Sequence, residues 1–551
     1  MSCHIRTYGA TRVPPRGRTL PATTRARRQA CATSTPRRPT PRPPPRSPRN
    51  ARPAPARPPP HRPCCRHRAP HPPPRPTGPA GRPRARAHAL APWLRLLPGL
   101  ALVACATRLP SFRLPLWNPD EGFLAIQARL LADGGTLYLD VVDRKPPLLP
   151  WLYEGAFTLW GDTSLTPVRV AAVLAQLATA LLIASLARRR WGSAAGRTAG
   201  LLHLLLSVGL NPEDTQAAAF AVFLLPATAA ALWCADRHHW GTAGAALAAA
   251  FLVKQTGAVV LLPVLLLWWR AGAGARDLAR LALGGALPVL ATALATDPAG
   301  FLFWTVTGSG AYASFSGSVP HVLARALVNA ALLAAASAAL LLPLARAGRA
   351  PAELRLWLGG SALAVVTGLH FFGHYYLQLV PPLALLAARA LHRRPPAARA
   401  GALRATAGLA ALFVLWGLLA PRPDTDHAVR LAHAVRDRTA PGERVLVWTM
   451  HPETYWLAGR PPASRYLTAG LLTNHSGGRS GARTGEPYAV PGTWHVFRAE
   501  TAADPPHLLV DDSRGGDWSP RHLPTLRALL AERYRPAGTV DGARLYVLRD
   551  R

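Results

Sequence analysis

GTAGAALAAAFLVKQTGAVVLLPVLLLWWR, residues 241–270, is apolar along almost its whole length and is interrupted once, at Lys254-Gln255-Thr256-Gly257. Arg237 precedes the stretch and Arg270 ends it. Cations collect on the cytoplasmic side of membrane helices. With arginine at both ends, both ends belong on that side, and the stretch is not a single crossing. It reads as two short helices of about 13 residues that enter and return, meeting at Lys254. Each reaches only about 20 Å, short of a ~30 Å hydrocarbon core.

The pattern continues on both sides. Apolar runs stand at roughly 91–110, 167–187, 198–210, 217–235, 278–296, 322–345, 355–370, 375–391 and 402–420. Basic clusters follow alternate runs, at Arg188-Arg189-Arg190, at Arg276 and Arg280, at Arg346 and Arg349, and at Arg393-Arg394. The intervening loops 211–216, 297–320 and 370–374 contain neither Lys nor Arg. This predicts a polytopic α-helical membrane protein of about eleven spans in the plasma (inner) membrane. Its N-terminus would be cytoplasmic and its C-terminal part extracytoplasmic.

Composition agrees. Of 551 residues, 49% are apolar and 17% charged, against about a quarter charged in soluble domains. A compact soluble domain is therefore excluded. The net charge of +37 is uneven: residues 1–90 hold 21 Arg and no acid. Runs such as Arg42-Pro43-Pro44-Pro45-Arg46 cannot bury a core, so 1–90 reads as a disordered, cytoplasmic Arg/Pro-rich segment. No aromatic residue alternates with its arginines as in a stacking platform, so no nucleic-acid partner is expected. The six Cys lack metal-ligand spacing, and none lies beyond Cys234.

Three domains follow: 1–90, a transmembrane part 91–420, and an extracytoplasmic α/β domain 421–551. In the last, 443–448 and 507–511 read as buried strands and 523–534 as an amphipathic helix. Residues 538–549 read as a hairpin around Asp541-Gly542, and 474–487 as a mobile loop.

The chemistry concentrates in the first outer loop. Asn118-Pro119-Asp120-Glu121-Gly122 sets adjacent carboxylates just beyond a span, and Asp143-Arg144-Lys145-Pro146-Pro147 follows. Lysine occurs only at Lys145 and Lys254. A carboxylate can orient or deprotonate a hydroxyl, and cations can neutralise a departing phosphate. The structural alternative is a helix N-cap at Asp120 and snorkelling cations at Arg144 and Lys145. From the residues alone both readings stand.

Taken together, Asn118 to Gly122 and Arg144-Lys145-Pro146-Pro147-Leu148-Leu149-Pro150-Trp151-Leu152 resemble the GT-C membrane glycosyltransferases. The similarity is to the dolichyl-phosphate-mannose protein mannosyltransferases and the bacterial aminoarabinose transferases that act on lipid A. It covers about 90–420 and, loosely, the C-terminal part. The resemblance implies that Asp120 and Glu121 are catalytic, and that Lys145, with Arg144 beside it, contacts the phosphate of a polyprenyl-phosphate sugar. It implies an inward-facing acid in the second outer turn, where Glu213 and Asp214 are both candidates. A Lys at the helix break is also common in the family, here Lys254, with phosphate contact or an ion pair as its role. His374-Tyr375-Tyr376-Leu377-Gln378, followed by Pro381-Pro382, matches a further family block. Its His and Tyr would donate to phosphate or sugar hydroxyls, or else form an aromatic belt.

The expected activity is hexosyl or pentosyl transfer from a lipid-linked donor to a glycan, lipid or protein acceptor in the cell envelope. The alternative is a transporter or flippase of lipid-linked sugars, which would also use broken helices. No metal ligand is assigned. His370 and His374 are four residues apart but lack a third partner, and a divalent cofactor stays open.

Overall fold

The computed structural model describes residues 96–308, 319–474 and 483–549, which lie within one compact unit, Gly78–Arg551. The expected tail 1–90 and most of the expected loop 474–487 fall outside the described residues. The helices of the membrane part are α1 (Leu96–Phe112), α2 (Pro119–Ala132), α3 (Leu148–Trp160), α4 (Thr166–Trp191) and α5 (Ser193–Leu206). A single turn, α6 (Pro212–Thr215), precedes α7 (Phe220–Ala235), α8 (Trp240–Val253) and α9 (Leu261–Arg270). Then come α10 (Ala275–Leu294), α11 (Pro298–Leu302), α12 (Val319–Ala336), α13 (Ala338–Ala345), α14 (Ala352–Thr367), α15 (Val380–His392) and α16 (Pro396–Leu419).

Every expected apolar run contains a helix where described, though 207–210 and 217–219 lie outside one. Among the described residues, four helical stretches are long and apolar enough to cross a membrane. They are Thr166–Trp191, Ala275–Leu294, Val319–Ala336 and Pro396–Arg436, the last broken after Leu419. The first outer loop is helical on both sides of Arg144-Lys145, as α2 before them and α3 after them.

Burial separates inner from outer helices. Half of the apolar window of α4 is buried, against 11% for α10. On α10, Leu283, Leu287, Leu290 and Leu294 form a stripe that is more than half exposed. Spacing of three and four residues puts them on one face. Such a stripe suits lipid, since hydrocarbon leaves no reason to hide it. Inside, glycines permit close backbone approach. A Cβ at Gly244 would strike the Leu281 carbonyl on α10, and one at Gly284 would strike the Gly241 carbonyl.

The C-terminal part opens with α17 (Pro423–Arg436), which the sequence reading omitted. It buries Thr425, His427, Ala428, Leu431, Ala432 and Val435 on one face. Then follow β1 (Val445–Trp448), α18 (Glu453–Ala458), α19 (Ala469–Thr473) and α20 (Thr493–Ala503). The chain closes with β2 (Leu508–Asp511), α21 (Pro524–Arg533), β3 (Tyr534–Val540) and β4 (Ala543–Leu548). The sheet runs β1-β2-β4-β3, with β1 parallel to β2 and the other pairs antiparallel. Both expected strands are present and fully buried.

The hairpin turns at Asp541-Gly542, both at positive φ (48° and 86°), as a tight two-residue turn requires. Its first strand starts at Tyr534, four residues before the expected start, because the strand follows α21 directly. Part of the expected mobile loop is tied down. The Glu486 carboxylate accepts from the Thr525 backbone N–H (2.8 Å) and hydroxyl (3.0 Å).

Candidate active site

The start of α2 is built by its own sequence. Asn118 is extended, and its side-chain oxygen accepts from the Glu121 N–H at 3.1 Å; Pro119 takes the first helical position. Asn118 is therefore the cap, and the alternative reading of Asp120 as the cap is replaced. Asp120, the second residue of the helix, is half-buried.

Glu121 differs entirely from its neighbour. It is fully buried, and both oxygens are occupied. One accepts from the Ala218 N–H (2.7 Å), the other from the Trp117 N–H (3.0 Å) and Arg169 Nη2 (2.6 Å). Arg169 also donates to the carbonyls of Leu114 (2.6 Å) and Pro115 (3.3 Å). Glu121 thus pins the first outer loop, α4 and the chain entering α7 to one point. Both oxygens of Glu121, for which a catalytic role was expected, are thus occupied within the protein.

The second outer turn is fastened to the first outer loop. Arg108, 1% exposed, donates to the carbonyls of Thr215, Gln216 (2.8 Å) and Ala217 (3.2 Å), where α6 ends. Trp117 Nε1 donates to the Pro212 carbonyl (2.9 Å), and Asn118 Nδ2 to that of Glu213 (3.2 Å). The two acids of this turn part company. Asp214 Oδ1 meets His374 Nδ1 at 2.9 Å and accepts the His374 backbone N–H at 3.1 Å. Glu213 lies exposed, within the electrostatic reach of Arg422. Asp214 is the acid that turns inward.

The cations come from two elements tied together. Lys145 holds its ammonium 4.1 Å from the Phe220 ring centroid, and its carbonyl accepts from the Tyr138 hydroxyl (3.0 Å). Gln255 Nε2 donates to the carbonyls of Arg144 (2.6 Å) and Thr305 (3.1 Å). That link sets Arg144-Lys145 beside the break after α8. There the backbone of Lys254 is extended (φ −158°, ψ 132°), followed by a 3-10 turn before α9. The expected pair of short helices meeting at Lys254 is present. Lys254 is 9% exposed and places its ammonium 4.0 Å from the Tyr375 ring centroid.

The His370 to Tyr376 block is held in an unusual backbone. Leu369 and Phe371 both have positive φ (53° and 49°), a conformation that side chains with Cβ disfavour. Arg325 and Asn329 of α12 hold it by donating to the carbonyls of His370 (3.2 Å) and Phe371 (2.9 Å). His374 stacks on Phe372 and meets the edge of Tyr375. Tyr376 leaves the cluster: it is buried, and its hydroxyl donates to the Ala326 carbonyl at 2.9 Å. The hydroxyl expected at substrate is thus engaged with α12.

All of this converges on Asp120. Burial opposes its ionisation, but Lys145, then His374, Lys254 and His451 outweigh that and hold its carboxyl below the ordinary carboxylate value. His451, from the C-terminal part, is a further imidazole within electrostatic reach of Asp120, and the sequence reading did not single it out. It follows β1, at the carboxyl end of a parallel pair, where α/β sheets place ligand-facing groups. A second signal was Gly122. A Cβ there would collide with Glu453 of α18, so the glycine lets α18 and the adjoining His451 approach α2. Asp143, also in the loop, is buried and accepts from Gln127 Nε2 (3.0 Å); burial raises its carboxyl above the ordinary value. Among the described residues no cluster of three His, Cys, Asp or Glu is placed to hold a metal ion.

The sequence model of the dolichyl-phosphate-mannose-protein mannosyltransferase family matches residues 144–295, from Arg144-Lys145 through the second outer turn and Lys254. ArnT from Cupriavidus metallidurans bound to undecaprenyl phosphate is similar in structure. It is 17% identical, with a TM-score of 0.54, over 82% of this chain and 97% of that one. The apo state of the same protein gives 17% identity and a TM-score of 0.55, over 83% and 98%. Among curated protein sequences none matches significantly. The resemblance drawn from Arg144-Lys145-Pro146-Pro147 thus recurs in a family model over 144–295, and the fold is like that of ArnT.

Proposed function

We propose that this protein is a multi-pass membrane glycosyltransferase that moves a sugar from a polyprenyl-phosphate donor to an acceptor on the extracytoplasmic face. The observation that carries the reading is the half-buried Asp120 amid Lys145, His374, Lys254 and His451. Arginine-rich loops alternate with the loops 211–216, 297–320 and 370–374, which lack Lys and Arg, and Asp214 and His374 stand in two of these.

The geometry divides the work. Lys145 and Lys254, with Arg144 nearby, bind the donor phosphate. Asp120 orients the acceptor hydroxyl and faces the sugar carbon. The bond from that carbon to the phosphate oxygen breaks as the bond to the acceptor oxygen forms. The hydroxyl proton passes to Asp120 or to solvent, and polyprenyl phosphate departs with the electron pair. Positive charge growing on the ring is balanced by Asp120, and negative charge growing on the phosphate by the lysines. His374, aligned by Asp214, and Tyr375 border the same space. The acceptor is a glycan, lipid or protein of the envelope; hexosyl and pentosyl donors both fit.

In the test, purified protein in lipid is incubated with a panel of polyprenyl-phosphate sugars, and the polyprenyl phosphate released is followed by mass spectrometry. Release that depends on an added envelope acceptor is expected. Movement of the intact donor across the bilayer without release would favour a flippase.

A further inference from the structure

Between α2 and Arg144-Lys145 the chain closes a loop around Tyr138. The Thr136 carbonyl accepts the N–H groups of Asp140 (2.9 Å) and Val141 (3.2 Å), and the Asp140 carboxylate takes the Thr136 N–H (2.9 Å). The Tyr138 N–H donates to the Val141 carbonyl (2.8 Å). Tyr138 is left at φ 72°, in the left-handed region that a bulky side chain disfavours. Such a backbone persists only where its surroundings over-determine it. Here part of the hold comes from outside the loop. One residue on, the Leu139 carbonyl accepts from Arg465 Nη1 of the C-terminal part (2.7 Å), and Arg465 is itself paired with Glu500 on α20 (2.5 Å). α11 packs against the tyrosine. The Phe301 and Tyr138 rings meet edge to face at 5.9 Å, and a Cβ at Gly300 would lie 2.7 Å from Tyr138 Cβ.

What the strained loop delivers is the Tyr138 hydroxyl. Tyr138 is buried, and its hydroxyl donates to the Lys145 carbonyl at 3.0 Å. The carbonyl before it, that of Arg144, accepts from Gln255 Nε2 (2.6 Å). These two carbonyls belong to the two peptide planes that flank the Lys145 Cα. A peptide is planar, so holding both planes holds the direction in which the Cα–Cβ bond leaves the chain. Pro146 restricts Lys145 further, because the residue before a proline is pushed to extended backbone. The root of the lysine side chain is thus set from its backbone, and its ammonium lies 4.1 Å from the Phe220 ring centroid.

We propose, on the reading of Lys145 as a ligand of the donor phosphate, that Tyr138 is a positioning residue for that phosphate. It orients Lys145 through the Lys145 carbonyl, and Arg465 holds the loop that presents it. Preorganising the cation removes part of the ordering cost that a flexible lysine meets on binding an anion. The C-terminal part, through Arg465, then contributes to donor affinity without touching the donor.

The test measures the affinity of the full-length protein in lipid nanodiscs for two probes, undecaprenyl phosphate and uncharged undecaprenol. Tyr138→Phe keeps the ring and removes the hydroxyl. It should weaken undecaprenyl phosphate binding about fivefold and leave undecaprenol binding unchanged, since only the phosphate meets Lys145. Equal weakening of both probes would mark a general loss of packing and overturn the proposal. In a Lys145→Ala background Tyr138→Phe should cost nothing further, because its effect passes through that lysine. The same loss in that background overturns the proposal in favour of direct contact between hydroxyl and phosphate. Arg444→Gln, at an exposed ion pair elsewhere in the C-terminal part, should change neither affinity. If the melting temperature shows that Tyr138→Phe is not folded, Arg465→Gln is read in its place, with a loss of about threefold. Native affinity for undecaprenyl phosphate in the folded variant, while Lys145→Ala binds it weakly, overturns the proposal. Native affinity in Lys145→Ala itself removes the phosphate role of Lys145, and the positioning role of Tyr138 with it.

Discussion

Asp214 and His374, 160 residues apart in sequence, meet at 2.9 Å and join the second outer turn to the loop before α15. Asp214 also receives the His374 backbone N–H, so it fixes both the ring and the chain that carries it. The imidazole is thereby held within electrostatic reach of Asp120.

Asp214→Asn should keep the shape of this pair while removing its charge. A hydrogen bond to a charged group contributes ~1.5–3 kcal/mol, so turnover should fall about 10–100-fold. Steady-state kinetics on the folded variant checks this. Glu213→Gln, on the exposed neighbour, should have little effect.

Glu121→Gln should act through stability. Its loss leaves Arg169, 3% exposed, without a counter-charge, and breaking a buried pair costs about 3–5 kcal/mol. A large drop in melting temperature is expected, with turnover per folded molecule largely preserved. A variant that melts normally yet is inactive would return Glu121 to the chemistry.

The acid limb of the pH profile should report Asp120. Its cations hold its carboxyl below the ordinary value of ~3.9, so it stays ionised as pH falls to that region. Lys145→Met removes the strongest of these cations and lets burial dominate. The pKa of Asp120 then rises, and the acid limb of kcat/KM should move to higher pH; Lys145→Arg should leave it in place.

Gly122→Ala tests the contribution of the C-terminal part. The new methyl would collide with Glu453, and overpacking of this kind typically costs about 1–3 kcal/mol. Lower melting temperature and faster proteolysis between 421 and 445 are expected, with activity falling because His451 is carried away from Asp120.

Much of the fold was legible because hydrocarbon leaves a coarse signature. Apolar runs gave the helices, and arginine placement predicted that 241–269 folds back at Lys254, where the structure places a helix break. Asp120, Lys145, Lys254 and His374 were singled out by short motifs and the rarity of lysine. What the sequence hid were directions and long-range meetings. Neighbouring Asp120 and Glu121 point opposite ways, one to the cluster and one to Arg169, and no pattern separates them without the capping geometry of Asn118. Tyr375 and Tyr376 diverge in the same manner within a 3-10 turn. His451 was invisible because it enters from a domain more than three hundred residues away, and only Gly122 marks where it arrives.

The central claim is that Asp120 serves the reacting centre while Lys145 serves the donor phosphate. The most direct test measures donor-lipid affinity and turnover on purified Asp120→Asn and Lys145→Ala side by side. The account predicts that Asp120→Asn binds donor nearly as tightly as the native protein and loses most turnover. Lys145→Ala should weaken donor binding, because the phosphate is charged before reaction, and should slow transfer about 10²–10³-fold. Full turnover in Asp120→Asn, with the fold intact, would contradict the account.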